Sequence, residues 1–202
     1  MISASDALTR LRDGNRRFVA GETTAPTLST LERRALAADQ FPFAIVLGCS
    51  DSRVPAELVF DQGFGDLFVI RVAGNIVAPS QVGSVEFAAS RYNTKLVVVM
   101  GHSQCGAIIA TLEELLDGAT NESRNLRSIV DRVRPSVATL LSGHPNIDRR
   151  TLVREAVIAN VRASVDHLRH GSTLLENLIQ NEGLVIVGAK YSLDTGVVTF
   201  LD

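Results

Sequence analysis

The sequence predicts an α/β fold: a mainly parallel central sheet with an antiparallel C-terminal edge strand, helices on both faces and an N-terminal helical arm. Three observations carry that expectation. Short apolar runs (FAIVL, LFVI, LVVVM, LVIV) recur along the 202 residues, bounded by turn residues, the texture of strands buried on both faces. Stretches with apolar residues at helical spacing separate them. Because strands and helices alternate, successive strands are joined by crossovers and run parallel.

The first helix is expected over Ser3–Ala20, where Leu8, Leu11 and Phe18 sit at roughly helical spacing among Arg and Asp. Ser3 or Ser5 caps it and Gly21 ends it. The polar connector GETTAPTLST leads to a short helix, Leu31–Ala38. Phe43–Gly48, Leu67–Val72 and Lys95–Gly101 read as buried strands, with a crossover helix over Val82–Tyr92. Cys105–Leu116 is a helix closed by Asp117-Gly118. Asn121–Ser142 and Asp148–His170 are the longest amphipathic stretches, the second with Leu152, Ala156, Ala159, Val165 and Leu168 along one face. Leu184–Lys190 is a fourth buried strand, and Asp194-Thr-Gly196 turns into a hairpin return, Val197–Leu201. With no repeat, low-complexity tract or long linker, residues 1–202 are expected to form a single domain.

Composition narrows the function classes. A 46% hydrophobic content supplies a core and excludes disorder over most of the length. Net charge is −2 with both signs scattered, so neither nucleic acid nor a membrane surface is an expected partner. No apolar run reaches membrane-spanning length. MISASDALTRLRDGNRRF lacks a basic leader followed by an apolar core, which predicts a cytoplasmic location. Two cysteines are too few for a disulfide framework and point to metal or redox chemistry.

Those cysteines stand where an open parallel sheet binds ligands, outside the carboxyl ends of its strands. Cys49 ends FAIVLGC, His102 ends LVVVMGH, and Cys105 follows three residues later. If the two strands are neighbours, Cys49 and His102 lie about 5 Å apart at one rim, and Cys105 closes over the same point. Cys₂His suits a tetrahedral zinc site with one position left. Asp51 is the nearby candidate for that position. Two thiolates cancel the formal charge of Zn²⁺, so bound water benefits from a nearby base, which Asp51 also supplies. Arg53, two residues on, can pair with Asp51 and hold it off the metal. Taken singly, these residues have ordinary readings: a buried Cys packs as a small hydrophobe, and Asp51–Arg53 is a surface ion pair. Thiol redox chemistry lacks a C-x-x-C here.

Cys49-Ser-Asp-Ser-Arg53 followed by Gly101-His-Ser-Gln-Cys-Gly106 resembles the β-class carbonic anhydrases. Phe68-Val-Ile-Arg71, Gly74-Asn75, Gly83-Ser-Val-Glu-Phe87 and Ile186-Val-Gly…Tyr191 fall in the family's order, so the resemblance runs from about Leu8 to the C-terminus. It implies one zinc per chain on Cys49, His102 and Cys105, with Asp51 and Arg53 as the catalytic dyad and Asp51 a ligand in a closed form only. It implies reversible hydration of CO₂ to bicarbonate and a proton, with zinc-bound hydroxide as nucleophile. Gln40, Phe68, Phe87 and Gly106 match the substrate pocket, the glutamine often acting across a subunit interface. The family forms homodimers, often paired into homotetramers, and residues 1–38 would then be an arm packing on the partner.

Some members carry a bicarbonate regulatory site of tryptophan, arginine and tyrosine. Arg71 and Tyr191 match the last two, whereas Val46 stands at the tryptophan position. Two alternatives remain: a CS₂ or COS hydrolase on the same scaffold, and a non-catalytic zinc or bicarbonate-sensing protein. Gln62-Gly-Phe-Gly65 lacks the G-x-G-x-x-G context of a dinucleotide site. His144 reads as a loop residue, and His170-Gly171 as a helix C-terminus favoured by a cation and a left-handed glycine.

Overall fold

The computed structural model describes residues 2–24, 29–118, 123–144 and 146–201. Part of the predicted 21–30 connector and the predicted start of a helix at Asn121 lie outside them. Five strands form one sheet in the order β2-β1-β3-β4-β5: β1 (Ala44–Gly48), β2 (Leu67–Arg71), β3 (Leu96–His102), β4 (Val185–Tyr191) and β5 (Val198–Leu201). The first four run parallel and β5 returns antiparallel to β4. Every residue of β1 and β3 is buried. That is why their sequences are continuous apolar runs rather than alternating ones.

Alternation along the strands divides the core. Ile45, Leu47, Val97, Val99 and Ile186 face α4 (Pro79–Arg91), α7 (Arg149–His170) and α8 (Thr173–Glu182), meeting Val85, Val161, Leu168 and Leu175. Val46, Val98, Met100 and Ala189 face the other way, under α1 (Ala4–Ala20) and α3 (Ala56–Val59). A third cluster surrounds Cys49 and Cys105, joining them to Ile108 of α5 (Gly106–Asp117), Val133 of α6 (Arg124–Gly143) and Val157 of α7. The short helix α2 (Thr30–Leu36) presents Leu31 largely to solvent. No helix among the described residues is long and apolar enough to cross a membrane.

The first helix packs one face against its own chain. Ser3 caps α1 by accepting from the Asp6 N–H, and Gly21, at φ 72°, ends it. Leu11 is fully buried, worth about 1.5–3 kcal/mol. Gly14 lies so close to the Phe60 carbonyl that an added Cβ would collide with it. Next to it, buried Asn15 donates to the carbonyls of Val59 (3.0 Å) and Gly196 (2.9 Å) and accepts from the Val198 N–H (2.8 Å). One side chain thus ties α1 to the end of α3 and to the β4–β5 hairpin.

Three elements were not anticipated. The helix α3 and the turn Ala73–Asn75 are too short for periodicity to show. By contrast, α8 carried full end signals: Ser172 caps the Leu175 N–H and Gly183 closes the helix at φ 72°. Gly171 does end α7, but at φ −102° rather than in the left-handed region. Glycine is needed there for space, since a Cβ would stand 2.5 Å from the His167 carbonyl oxygen.

Candidate metal centre

Parallel pairing of β1 with β3, Gly48 opposite Met100, brings two strand ends to one rim. Cys49 immediately follows β1, His102 is the last residue of β3, and Cys105 immediately precedes α5. The intervening turn reverses tightly, with Gln104 at φ 55°. The two sulfurs and a His102 ring nitrogen lie within 4.8 Å of one another, all from buried residues, and could hold a metal ion. His102 Nδ1 lies 2.9 Å from the Ser103 carbonyl, which fixes the proton on that nitrogen. Nε2, fully buried, has no hydrogen-bond partner among the described residues. A buried lone pair without a donor is costly. Beside two thiols it suits a divalent metal with nitrogen and sulfur preference, the carbonyl behind the ring being the usual outer support.

The two thiols share a proton. Cys49 is lowered to about 4 chiefly by the hydrogen bond from Cys105; burial opposes this, and the backbone N–H groups of Asp51 and Gly74 assist. The Gly74 N–H reaches Cys49 Sγ at 3.4 Å. Cys105 moves the opposite way, first because it donates to Cys49 and then because it is buried. The shared hydrogen bond favours ionisation at Cys49 and retention of the proton at Cys105 in the metal-free pair.

Asp51 faces this donor set but is held by Arg53. Its Oδ1 accepts from Arg53 Nε and backbone N–H, both at 2.9 Å, and its Oδ2 from Arg53 Nη2 at 2.7 Å. The bidentate pair holds the carboxyl well below the usual carboxylate range, against a smaller effect of burial. Oδ2 lies 3.9 Å from His102 Nε2. The dyad is therefore closed on itself and adjacent to the donors. Arg53 Nη2 also reaches the Gln104 carbonyl at 3.4 Å, linking the loop after β1 to the turn after β3.

Arg71 does not pair with Asp66, which Arg10 engages. Arg71 Nε donates to the Cys49 carbonyl (3.0 Å) and Nη2 to the Asp51 carbonyl (2.6 Å), bracing the Cys49–Asp51 segment. Tyr191 is buried on β4 opposite His102, and burial pushes its phenol up. Val46 is fully buried in the same face's core. Arg71 is thus engaged on two backbone carbonyls, and an aliphatic residue stands at position 46.

Gln40, Phe68 and Phe87 come together, but apart from the thiols. Phe68 lies opposite Ile45, three residues or about 10 Å back from the Gly48 rim. Its ring meets Phe87 and Tyr92 at 6.3 and 6.1 Å, and Gln40 Nε2 donates to the Tyr92 hydroxyl at 2.9 Å. Phe87 is 53% exposed. Tyr92, read from sequence only as a helix end, completes this aromatic patch at the free edge of β2. Gly106 begins α5 with open space where a Cβ would be, so sterics do not require glycine there. Ser103 and Gly74, the outer supports of His102 and Cys49, were also missed; their contacts run through backbone atoms, which residue type does not report.

The sequence model of the carbonic anhydrase family matches residues 44–198, a span holding the thiols, the histidine and the dyad. The chain is 42% identical over 186 residues to carbonic anhydrase 2 of Mycobacterium tuberculosis, covering 92% of this chain and 87% of that one. Identity to a carbonic anhydrase of Mycolicibacterium smegmatis is 41% with the same coverage. One of two tetrameric β-carbonic anhydrase structures from Sordaria macrospora superposes with a TM-score of 0.76 at 25% identity, over 84% of this chain and 85% of that one. The chain belongs to the β-carbonic anhydrase family. The matched span includes Cys49, His102, Cys105 and the Asp51–Arg53 ion pair at the rim described above.

Proposed function

We propose that this protein catalyses the reversible hydration of CO₂ to bicarbonate and a proton, with zinc held by Cys49, His102 and Cys105. The observation that carries the reading is the unpartnered, fully buried His102 Nε2 among two thiols, with the Asp51–Arg53 pair alongside. Zinc bound there supplies the Lewis acidity that makes a nucleophile from water near neutral pH.

The chain's own residues do the remainder. The Ser103 carbonyl holds the Nδ1 proton and so presents Nε2 as a ligand. The Gly74 N–H withdraws charge from Cys49 Sγ, keeping a thiolate-rich site from being too electron-donating. Arg53 keeps Asp51 ionised and acceptor-only, so Asp51 takes a hydrogen bond from the attacking oxygen and aims its remaining lone pair at carbon. Its low pKa fits this orienting role better than proton storage. Arg71, by gripping the carbonyls of Cys49 and Asp51, sets the distance between ligand and carboxylate.

The pocket is completed in an oligomer. Exposed Phe87, beside half-buried Phe68 and Tyr92, presents an apolar surface that a second copy would cover, and Gln40 would reach a neighbour's substrate across that contact. The Sordaria macrospora relatives are tetrameric.

Stopped-flow CO₂ hydration on zinc-quantified protein, scanned from about pH 6.5 to 9, tests the reading. Because Asp51 is held on Arg53, turnover is expected across the whole range. Asp51→Asn should keep zinc and lose about a hundredfold or more of the rate. Silence at one zinc per chain would refute hydration and direct attention to CS₂ and COS.

A further inference from the structure

A second polar pocket lies behind the metal centre, on the other side of the Ser103–Gln104 turn. It is a cavity of about 450 Å³ bounded by that turn, by the first turns of α7 and by the approach to the β4–β5 hairpin. Arg150, Arg154 and Lys190 line it, with Asp194 the only carboxylate among the lining residues. Arg154 Nε is engaged by Glu155. Lys190 is half-buried, and neither it nor Arg150 has a salt-bridge partner among the described residues. Holding unpaired cations together at a concave surface is unfavourable without an anion between them.

The uncharged lining groups are also disposed to donate. The Ser103 hydroxyl oxygen accepts from the Leu193 N–H at 2.9 Å, and the Ser192 hydroxyl oxygen accepts from the Thr195 N–H at 3.3 Å. Each hydroxyl keeps its own proton for a further acceptor. The residues come from the turn after β3, from α7, and from the end of β4 with the turn beyond it. Lys190 is opposite Gly101 in the β3–β4 pairing, so its side chain leaves the sheet on the α7 side, away from buried Tyr191.

We propose that this pocket binds a dianionic phosphoryl group, as inorganic phosphate or the head of a small phosphate monoester, separately from the metal. Arg150 and Lys190, without salt-bridge partners among the described residues, together with Arg154, whose guanidinium is shared with Glu155, favour a multiply charged oxyanion, and the hydroxyls with the arginine forks match several acceptor oxygens at once. The cavity exceeds the size of a bare oxyanion, leaving room for the body of an ester. A ligand on the Ser103 hydroxyl stands one residue from His102, and the same turn's Gln104 carbonyl is held by Arg53. Occupancy therefore reaches both halves of the metal centre through one backbone segment.

The test is independent of CO₂ turnover. Inorganic phosphate is titrated into zinc-loaded protein by calorimetry at constant ionic strength, with thermal unfolding in phosphate against chloride as a second readout. One site per chain is expected. Lys190→Gln and Arg150→Gln should each weaken it about tenfold, the effect of one charge-assisted hydrogen bond. Cys49→Ser, which loses the zinc, should still bind phosphate at one site per chain. Tighter binding of glycerol phosphate would assign the ester, and equal binding the free ion. The proposal is overturned if neither cation variant weakens binding, if Cys49→Ser abolishes it, if bicarbonate binds as tightly, or if phosphate does not bind.

Discussion

Replacing Asn15 with alanine separates two roles for the first helix. The amide makes three hydrogen bonds, two to the carbonyls of Val59 and Gly196 and one from the Val198 N–H. Val59 is 1% exposed and Val198 9%, so water does not readily replace the lost amide at either. Leaving a buried polar group unsatisfied costs about 1–3 kcal/mol. Two such orphans, plus a weaker loss at half-buried Gly196, come to about 3–5 kcal/mol. For a domain of this size each kcal/mol lowers Tm by about 2–4 °C, so a fall of about 10 °C is expected. The assay is thermal and urea unfolding by circular dichroism at one fixed protein concentration, since association also stabilises. Sedimentation should meanwhile show the oligomer retained. An Asn15→Ala protein with unchanged Tm but altered assembly would refute the reasoning, because α1 would then act on a partner rather than on its own hairpin.

Cys49→Ser and His102→Ala should each lose bound zinc after dialysis, measured by atomic emission; full retention in either would remove that residue from the donor set. Zinc binding to metal-free protein at pH 7 should release about one proton, not two, because Cys49, lowered to about 4, is already ionised while Cys105 is not. Calorimetry in buffers of different ionisation enthalpy counts it, and two protons would contradict the shared-proton pair. The same pair sets a pH dependence of stability in metal-free protein. From about 4 to about 8.5 the unfolded chain binds one more proton than the native one, so stability rises with pH; above that it falls as the unfolded chain loses both. A urea-midpoint series showing the reverse slope between pH 5 and about 8 would contradict the assignment. Tyr92→Phe removes the acceptor of Gln40 and should raise KM for CO₂ more than it lowers kcat.

Much of the metal centre was legible in the chain because each donor stands at the end of a local signal. Cys49 and His102 terminate apolar runs, and Cys105 opens a helical stretch three residues on. Parallel order then leaves only one further requirement, that the two strands be neighbours, and β1 and β3 are. Asp51 and Arg53 are two residues apart, so their pairing needed no knowledge of distant structure. The sheet followed from the same apolar runs; the expected helix ends shifted by a few residues, whereas α3, the turn Ala73–Asn75 and α8 were additional. What tertiary structure decided is where groups without a local pattern go. An amphipathic stripe says that α1 is covered but not by what; Gly14 against the Phe60 carbonyl and Asn15 in the hairpin show that its own chain covers it. Arg71 takes two backbone carbonyls rather than a carboxylate, a choice set by the path of the loop after β1. The aromatic patch joins Gln40, Phe68, Phe87 and Tyr92, and the cationic pocket joins Ser103 to Arg150, Arg154 and Lys190. Spacing along the chain reports neighbours one strand or one helical turn away, whereas these contacts depend on how whole elements dock across the sheet.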